Sequence, residues 1–381
     1  MKRIVLAYSG GLDTSVAIPW LMERYGAEII AVTLDLGQGT DLEAVRDRAL
    51  ATGAVRAHVM DAREEFARAY IVPALKAEAM YEDRYPLGTA LSRPLIARKL
   101  VEAAEIEQAT AIAHGCDEGK GNDQVRLEVM VKALNPDLTV LAPSRESGMT
   151  RQDAIEYARA RNIHVPVTAS QPLSIDDNLW GRSIEWGFLD DPWTEPPDDI
   201  YTLTKSPTQA PDEPAYVEVT FDAGVPTAIN GIAMPMLDLI NTLGMIAGAH
   251  SVGRIDMVEN RVVGSKSREV YEAPVAVVLH AAHKELQKLV SSKDLERFSR
   301  TVSLQYAEVI YNGLWFTPLR EALDAFVDKV QQRVSGTIRL KLFKGDCRIV
   351  GRKSMLGLSD RAAGAAPAGA GVHQLAVVGK E

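Results

Sequence analysis

Short apolar runs alternate with segments of helical spacing through the first third of the chain, and this alternation limits the folds open to it. The runs RIVLAYS, AEIIAVTLDLG, AVRAHVMD, ATAIAHG and LTVLAP are nearly continuous in apolar residues. A strand that is apolar at consecutive positions is buried on both faces, as in a parallel sheet covered by helices on both sides. The sequence therefore predicts an α/β domain built on a five-stranded parallel sheet.

A second region begins near residue 165, where this alternation stops. Residues 190–214 are rich in Pro and Asp, which predicts a long surface connection. The patterns that follow predict hairpins at 216–230 and 336–352, helices at 234–253 and between 272 and 333, and a strand at 258–264. We therefore predict an α/β domain at 1–165, an α+β domain at 166–360 and an Ala/Gly-biased tail at 361–381.

Composition excludes several classes of protein. The formal net charge of −9 argues against nucleic acid as the main partner, because binding a phosphate backbone depends on concentrated Lys and Arg. The two cysteines are too few for a disulfide framework, and no apolar run is long enough to cross a membrane. The first strand begins at Arg3, which leaves no room for a signal peptide. We expect a cytoplasmic protein that binds neither nucleic acid nor membranes.

The segment YSGGLDTS joins the first predicted strand to the first helix. Gly10 and Gly11 allow backbone N–H groups to approach an anion, and the helix N-terminus adds its own donors and its positive dipole end. The segment has neither the Gly-Lys-Ser/Thr of a Walker A loop nor the spacing of a dinucleotide turn. A phosphate loop at the carboxyl edge of the sheet is the favoured interpretation, and a tightly packed turn without a ligand is the alternative.

SGGLDTS in this position resembles the pyrophosphate loop of the N-type ATP pyrophosphatases. The longer string AYSGGLDTS resembles that of the argininosuccinate synthase family. Four further motifs resemble the same family in the same order, namely YEDRYPLGTALSRPLIARK, GKGNDQVRLE, SIDDNLWGRSIE and VGRIDMVENRVVGSKSREVYEAP. Any one of these matches could arise by chance, whereas five in register are specific.

The resemblance implies an adenine nucleotide α-hydrolase-like domain followed by a synthetase domain, and a two-step reaction in one pocket. The ureido oxygen of citrulline attacks the α-phosphate of ATP, pyrophosphate leaves, and the amine of aspartate then displaces AMP to give argininosuccinate in arginine biosynthesis. ATP and Mg²⁺ are the implied cofactors. No covalent protein nucleophile is proposed, because holding two substrates in attack geometry supplies much of the rate.

The resemblance also assigns residues to three subsites, and no residues to a protein metal site. The ATP subsite contains Ala7, Tyr8, Ser9, Gly10, Gly11, Leu12, Asp13, Thr14, Ser15, Leu34 and Gly115. The citrulline subsite contains Tyr85, Ala90, Asn122, Arg126, Ser174, Ser183, Glu259 and Tyr271. The aspartate subsite contains Asp117, Asn122 and Asp123. Arg126 suits a carboxylate because its fork can bind both oxygens.

Several of these residues, and two histidines outside the subsites, also have an ordinary structural interpretation. Asn122 is well placed to cap the following helix, and Ser174 and Ser183 alone would be read as turn or cap serines. Glu259 could simply pair with Arg261 or Arg254. His280 and His283 lie three apart on a predicted helix, but no carboxylate or cysteine pattern completes a metal site, so we expect packing or surface roles.

The chain departs from the family at two places that bear on function. Asp117-Glu118 stands where the family has a single Thr that helps to hold aspartate, and two carboxylates there would repel a dicarboxylate unless they turn away. The tail offers little apolar area for the helix through which the family forms tetramers. The family expectation is a homotetramer, and this tail weakens that expectation. A ligase using another amine donor and a nucleotide-binding regulatory protein are the two rival functions.

Overall fold

The structure, a computed structural model, describes residues 2–116, 122–164 and 173–357. Its first sheet has five parallel strands: β1 (Arg3–Ala7), β2 (Glu28–Asp35), β3 (Arg56–Asp61), β4 (Ala111–Ala113) and β5 (Thr139–Leu141). Their order is β3-β2-β1-β4-β5, which confirms the predicted parallel sheet. The strand order reverses at β1, because β2 and β3 lie on one side of β1 whereas β4 and β5 lie on its other side. In open α/β sheets such a reversal opens a crevice at the carboxyl ends of the two strands, here β1 and β4, and ligands bind there.

Helices cover both faces of the parallel sheet. They are α1 (Leu12–Tyr25), α2 (Leu42–Thr52), α3 (Arg63–Phe66), α4 (Val72–Lys76), α5 (Gly88–Glu107), α6 (Asp123–Leu134), α7 (Pro143–Ser147) and α8 (Arg151–Ala160), with one π-helical turn (Ala67–Ile71) between α3 and α4. Successive residues of a strand point to opposite faces. Ile4 accordingly packs in one core with Ile18 of α1, whereas Val5 packs in the other core with Leu95 of α5.

Two antiparallel sheets follow, and their strands complete the fold. One has the order β11-β12-β7-β6, from β6 (Ser174–Asn178), β7 (Gly181–Glu185), β11 (Arg254–Asn260) and β12 (Lys266–Glu272). The other has the order β10-β9-β8-β13-β14, from β8 (Ala215–Asp222), β9 (Val225–Ile229), β10 (Ile232–Ala233), β13 (Gly336–Phe343) and β14 (Asp346–Lys353). The two predicted hairpins are confirmed as β8–β9 and β13–β14.

The strand predicted at 258–264 was placed too far along the chain. It runs from Arg254 to Asn260, and the backbone then turns, with the Arg261 N–H donating to the Ser265 carbonyl at 2.7 Å. Val262 and Val263, the apolar residues that had suggested a longer strand, belong to this turn, and Gly264 follows them with a φ of +84°.

Four helices belong to this half of the chain. Two of them, α9 (Met236–Ala249) and α10 (Pro274–Val290), pack on the antiparallel strands, whereas α11 (Lys293–Tyr311) packs on α5 and α12 (Pro318–Gln331) packs on α4. His280 and His283 of α10 are both buried, and the His283 ring bonds the Gln331 side chain at 2.8 Å. In the described ranges, no helix is long and apolar enough to cross a membrane. The predicted domain limit at 165 and the tail at 361–381 fall outside the described residues, and the domain division stays a prediction.

Glu272 of β12 fixes part of the long connection, residues 190–214, to the four-stranded sheet. Its carboxylate is fully buried and accepts hydrogen bonds from the backbone N–H groups of Thr202, Leu203 and Thr204 at 2.8–2.9 Å. The Thr204 hydroxyl donates a fourth bond at 2.7 Å. A buried carboxylate is tolerable only with such partners, so one side chain anchors the loop.

Glu272→Ala is expected to lower the free energy of unfolding by about 3 kcal/mol, because four hydrogen-bond donors lose an acceptor that is fully buried. Glu218→Ala is the matched control, since Glu218 pairs with Arg339 on the exposed side of β8. The control should cost less than about 1 kcal/mol. Urea denaturation measures both values, and equal losses in the two variants would contradict the anchoring role.

Candidate active site

The glycine loop leaves β1 at the crevice between β1 and β4. Gly10 has a φ of +78°, and a Cβ at this position would lie 2.9 Å from a guanidinium nitrogen of Arg48. That guanidinium donates to the Gly10 carbonyl at 2.7 Å, which holds the loop against α2. Gly11 is the N-cap of α1, and no side chain of the described residues caps this helix end. Its first-turn N–H groups are therefore suited to bind an anion.

The loop after β4 contacts the glycine loop directly. A Cβ on Gly115 would lie 2.7 Å from Cγ2 of Thr14, so only glycine allows this approach. The Ser9 and Thr14 hydroxyls lie 3.2 Å apart, and the Tyr8 and Ser15 hydroxyls lie 3.0 Å apart. The other predicted ATP residues lie in the same place: Ala7 ends β1, Leu12 and Asp13 begin α1, and Leu34 lies on β2 beside β1. The structure thus gathers the predicted ATP residues at one edge of the sheet.

Asp123 begins α6 and lies between two arginines. One carboxylate oxygen accepts from Arg93 at 2.7 Å, and the other accepts from Arg126 at 2.9 Å. Burial by itself would raise the pKa of Asp123, but the two guanidinium groups outweigh burial and hold that pKa well below its usual range. The carboxylate is therefore ionised at all ordinary pH values. It can receive an ammonium group, but it is too weak a base to remove a proton efficiently.

Arg93 was not predicted as a site residue. It lies on α5, and one of its nitrogens contacts Asp123 of α6 and Asp176 of β6 together. This guanidinium therefore ties the helices of the parallel-sheet region to the four-stranded sheet. Its one signal in the sequence is its position inside the quoted motif YEDRYPLGTALSRPLIARK, because its partners lie 30 and 83 residues away.

The Asn122 side chain does not cap α6, so the capping interpretation was wrong. Its amide nitrogen donates to the Tyr311 hydroxyl at 2.8 Å, and its amide oxygen accepts from the Val262 N–H at 2.9 Å. Arg126 is also held from the C-terminal half, since its Nε donates to the Tyr311 carbonyl at 2.7 Å. One terminal nitrogen of Arg126 is buried and has no hydrogen-bond partner among the described residues. That orphaned donor is suited to a substrate carboxylate.

The four-stranded sheet presents a polar face toward these groups. Ser183 of β7 lies opposite Tyr271 of β12 and opposite Asp176 of β6, and directly opposite residues share a face. The Ser183 hydroxyl lies 3.0 Å from the Thr89 hydroxyl of α5. The Tyr85 ring stacks on the Tyr271 ring with centroids 4.2 Å apart. The β6–β7 hairpin was not predicted, because its polar residues do not follow an apolar strand pattern.

Glu259 lies at the inner end of this polar face. It is almost fully buried and accepts hydrogen bonds from the hydroxyls of Tyr271 and Tyr311, each at 2.7 Å. Burial raises the pKa of Glu259, and the two phenols oppose that rise. Its partners are thus tyrosines rather than Arg254 or Arg261, which corrects the simple ion-pair interpretation. Two further carboxyls, Glu185 and Glu269, lie opposite each other on the same face, and burial raises the pKa of both.

The remaining predicted residues lie farther from this cluster. Ser174 is exposed at the start of the edge strand β6, opposite Glu185. Ala90 is fully buried within α5, and its place in the citrulline subsite stays a prediction. Asp117 and Glu118 lie outside the described residues. Within the described ranges, no group of three or more His, Cys, Asp or Glu side chains could hold a metal ion.

Comparison with known proteins agrees with the geometry. The model of the arginosuccinate synthase N-terminal HUP domain matches residues 3–164, and that of the C-terminal domain matches residues 173–379. An argininosuccinate synthase of Bacillus thuringiensis (strain Al Hakam) is 54% identical over 359 residues, which covers 94% of this chain and 89% of that protein. One of Geobacillus thermodenitrificans (strain NG80-2) is 56% identical over 358 residues, with 94% and 88% covered. The chain therefore belongs to the argininosuccinate synthase family.

Proposed function

We propose that the protein joins citrulline and aspartate into argininosuccinate at the expense of ATP, through a citrullyl-adenylate. The observation that carries this proposal is the position of two different groups of residues after the carboxyl ends of two neighbouring strands of the parallel sheet, β1 and β4. A glycine loop suited to an anion follows β1. A cluster of side chains suited to an α-amino acid includes residues of α6, the helix that follows β4. Arg126 has a buried donor without a hydrogen-bond partner among residues 2–116, 122–164 and 173–357, and this donor suits a carboxylate. Glu259 is a buried carboxylate that suits an ammonium group. ATP at the glycine loop and amino-acid substrates at the cluster fit this arrangement.

In the first step, the ureido oxygen forms a bond to the α-phosphorus while the bond to the β-phosphate oxygen breaks. Pyrophosphate leaves with the electron pair. The N–H groups at the start of α1 and the hydroxyls of Ser9, Thr14 and Ser15 are placed to stabilise the charge that develops there. No serine or cysteine nucleophile is needed, because holding the two substrates in attack geometry supplies much of the rate.

Mg²⁺ fits this loop as a partner of the ATP phosphates. The loop offers oxygen donors, including the Asp13 carboxylate, and oxygen ligands are those that Mg²⁺ takes, usually with one or two protein carboxylates and the substrate phosphates. A bound ion would offset negative charge on the leaving pyrophosphate. Asp13 is the residue we assign to it.

In the second step, the aspartate nitrogen forms a bond to the ureido carbon while the carbon–oxygen bond breaks. AMP leaves with the electron pair of that bond, and the amine loses its proton to solvent. Asp123 is fixed by Arg93 and Arg126, so we assign it to orienting the incoming amine rather than to removing its proton. Asn122 and Asp117 complete the proposed aspartate subsite. A homotetramer in the cytoplasm is the family expectation and stays a prediction.

The test is release of AMP and pyrophosphate from ATP and Mg²⁺, with citrulline alone, aspartate alone, both, or citrulline with glutamate, asparagine or lysine. The proposal expects multiple turnovers and argininosuccinate only with citrulline and aspartate together. Turnover with another amine in place of aspartate would show that Asp117-Glu118 has changed the amine donor. Nucleotide binding without AMP release in any mixture would favour a regulatory protein and overturn the proposal.

A further inference from the structure

Tyr311 ends α11 and is bonded to three of the residues proposed to hold citrulline. Its hydroxyl donates to the Glu259 carboxylate at 2.7 Å and accepts from the Asn122 amide at 2.8 Å. Its backbone carbonyl accepts from Nε of Arg126 at 2.7 Å. One residue of the C-terminal helices thus contacts the carboxylate, the amide and the guanidinium of the amino-acid subsite.

Packing leaves the Tyr311 ring a single position. The Tyr81 ring stacks on it with centroids 3.5 Å apart and planes within 5° of parallel. The Arg126 guanidinium carbon lies 4.7 Å from its centroid on another side. Gly313, with a φ of +75°, brings the chain so close to Arg126 that a Cβ there would lie 2.9 Å from its Cα. A ring held in this way offers its hydroxyl in one direction, which is the condition for preorganising a charged partner.

The hydroxyl matters because Glu259 is buried between two phenols from different parts of the fold. Tyr271 approaches from β12 of the sheet, and Tyr311 approaches from α11. A buried carboxylate is costly unless donors surround it, and hydrogen bonds to a charged group are about twice as strong as neutral ones. Tyr311 therefore helps to keep Glu259 in the charged state and in the orientation that an ammonium group requires.

We propose that Tyr311 is a positioning residue for the α-amino-acid end of citrulline: its hydroxyl orients Glu259 and Asn122, and its carbonyl orients Arg126. This inference rests on the proposed function and deepens it. It makes Tyr311 a determinant of selectivity for a substrate with both an α-ammonium and an α-carboxylate, over a ureido compound that lacks them.

The test compares Tyr311→Phe with Tyr81→Phe. Both variants lose one hydroxyl from the same stacked pair, but the Tyr81 hydroxyl donates to the Asn260 carbonyl and to no charged group. In Tyr311→Phe, KM for citrulline should rise about 10-fold with kcat nearly unchanged, because binding common to ground and transition states is lost. KM for ATP should change by less than about 2-fold, and KM for aspartate should rise less than KM for citrulline, because Asn122 also belongs to the proposed aspartate subsite. Tyr81→Phe should leave all three nearly unchanged.

The pH dependence gives a second readout that a purely structural role would not move. The groups facing Glu259 are Tyr271 of β12, Tyr311 of α11, Arg126 of α6 and Glu82 before α5, with Tyr81, Tyr85 and Glu269 farther out. Losing the Tyr311 donor removes stabilisation of the charged form, so Glu259 becomes protonated at higher pH. The acid limb of kcat/KM for citrulline should therefore shift to higher pH in Tyr311→Phe and stay in place in Tyr81→Phe.

A double variant tests whether Tyr311 acts through Glu259. Glu259→Gln removes the buried charge, so adding Tyr311→Phe to it should raise KM for citrulline by much less than 10-fold. Additive effects would contradict action through Glu259. An unchanged KM in Tyr311→Phe, or equal increases for all three substrates, would overturn the inference while leaving the proposed function intact. Failure of the unmodified protein to use citrulline would instead overturn the proposed function.

Discussion

Arg126→Lys is expected to lower kcat/KM for citrulline by about 100-fold, because a loss of about 3 kcal/mol follows when a buried charged fork is broken. The three guanidinium nitrogens of Arg126 have separate tasks. Nε donates to the Tyr311 carbonyl, and one terminal nitrogen donates to Asp123. The other terminal nitrogen is buried without a partner in the described part of the chain, and we assign it to the substrate carboxylate. A lysine keeps the charge, but its one nitrogen cannot reach all three places.

Arg56→Lys is the matched control for this variant. Arg56 also pairs with a carboxylate, Glu107, but it begins β3 at the opposite edge of the sheet and is half exposed. Steady-state kinetics with citrulline varied should show a large loss for Arg126→Lys and almost none for Arg56→Lys. A loss below about 5-fold, or the same loss when ATP is varied, would mean that Arg126 does not bind the citrulline carboxylate.

Gly10→Ala is expected to lower kcat/KM for ATP by about 30-fold, from about 2 kcal/mol of strain and displacement of the loop. The φ of +78° is unfavourable for alanine, and the new Cβ would lie 2.9 Å from Arg48 and 3.1 Å from Val45. The loop must then move, and with it the N–H groups that would bind the phosphates. Kinetics with ATP varied, together with calorimetric titration of ATP, measure the loss.

Gly26→Ala separates backbone strain from loss of the phosphate site. Gly26 ends α1 with a φ of +60°, and no atom lies within 4 Å of the Cβ that alanine would add. This variant should cost about 1 kcal/mol of stability and leave ATP binding unchanged. If Gly10→Ala bound ATP as well as Gly26→Ala did, the glycine loop would not be the ATP site.

The parallel sheet could be predicted because its inner strands β1, β2 and β4 are buried on both faces, which leaves continuous apolar runs in the sequence. The position of the glycine loop at a carboxyl edge followed from the same pattern. The β6–β7 hairpin could not be predicted, since Asp176, Ser183 and Glu185 form a polar face that leaves no apolar period. The strand predicted at 258–264 was misplaced for the opposite reason. Val262 and Val263 are apolar like strand residues, but they belong to a turn.

The candidate site was predictable only where a local motif marked it. Gly10, Gly115 and Asn122 lie in short strings that suggest ligand binding by themselves or by resemblance. Tyr311 has no such string, and it reaches Asn122 across 189 residues of chain. Arg93 likewise acquires its meaning from Asp176, which only folding brings near. Residues that position others are defined by tertiary contacts, and those contacts leave no periodicity in a single sequence.

The most direct test of the proposed chemistry follows the oxygen atom of citrulline. The protein is incubated with ATP, Mg²⁺, aspartate and citrulline labelled with ¹⁸O in the ureido group, and the AMP is analysed by mass spectrometry. If the ureido oxygen attacks the α-phosphate, one ¹⁸O atom should appear in AMP for each argininosuccinate formed. Argininosuccinate formed with unlabelled AMP would contradict the citrullyl-adenylate, and with it the assignment of the two sites to one reaction.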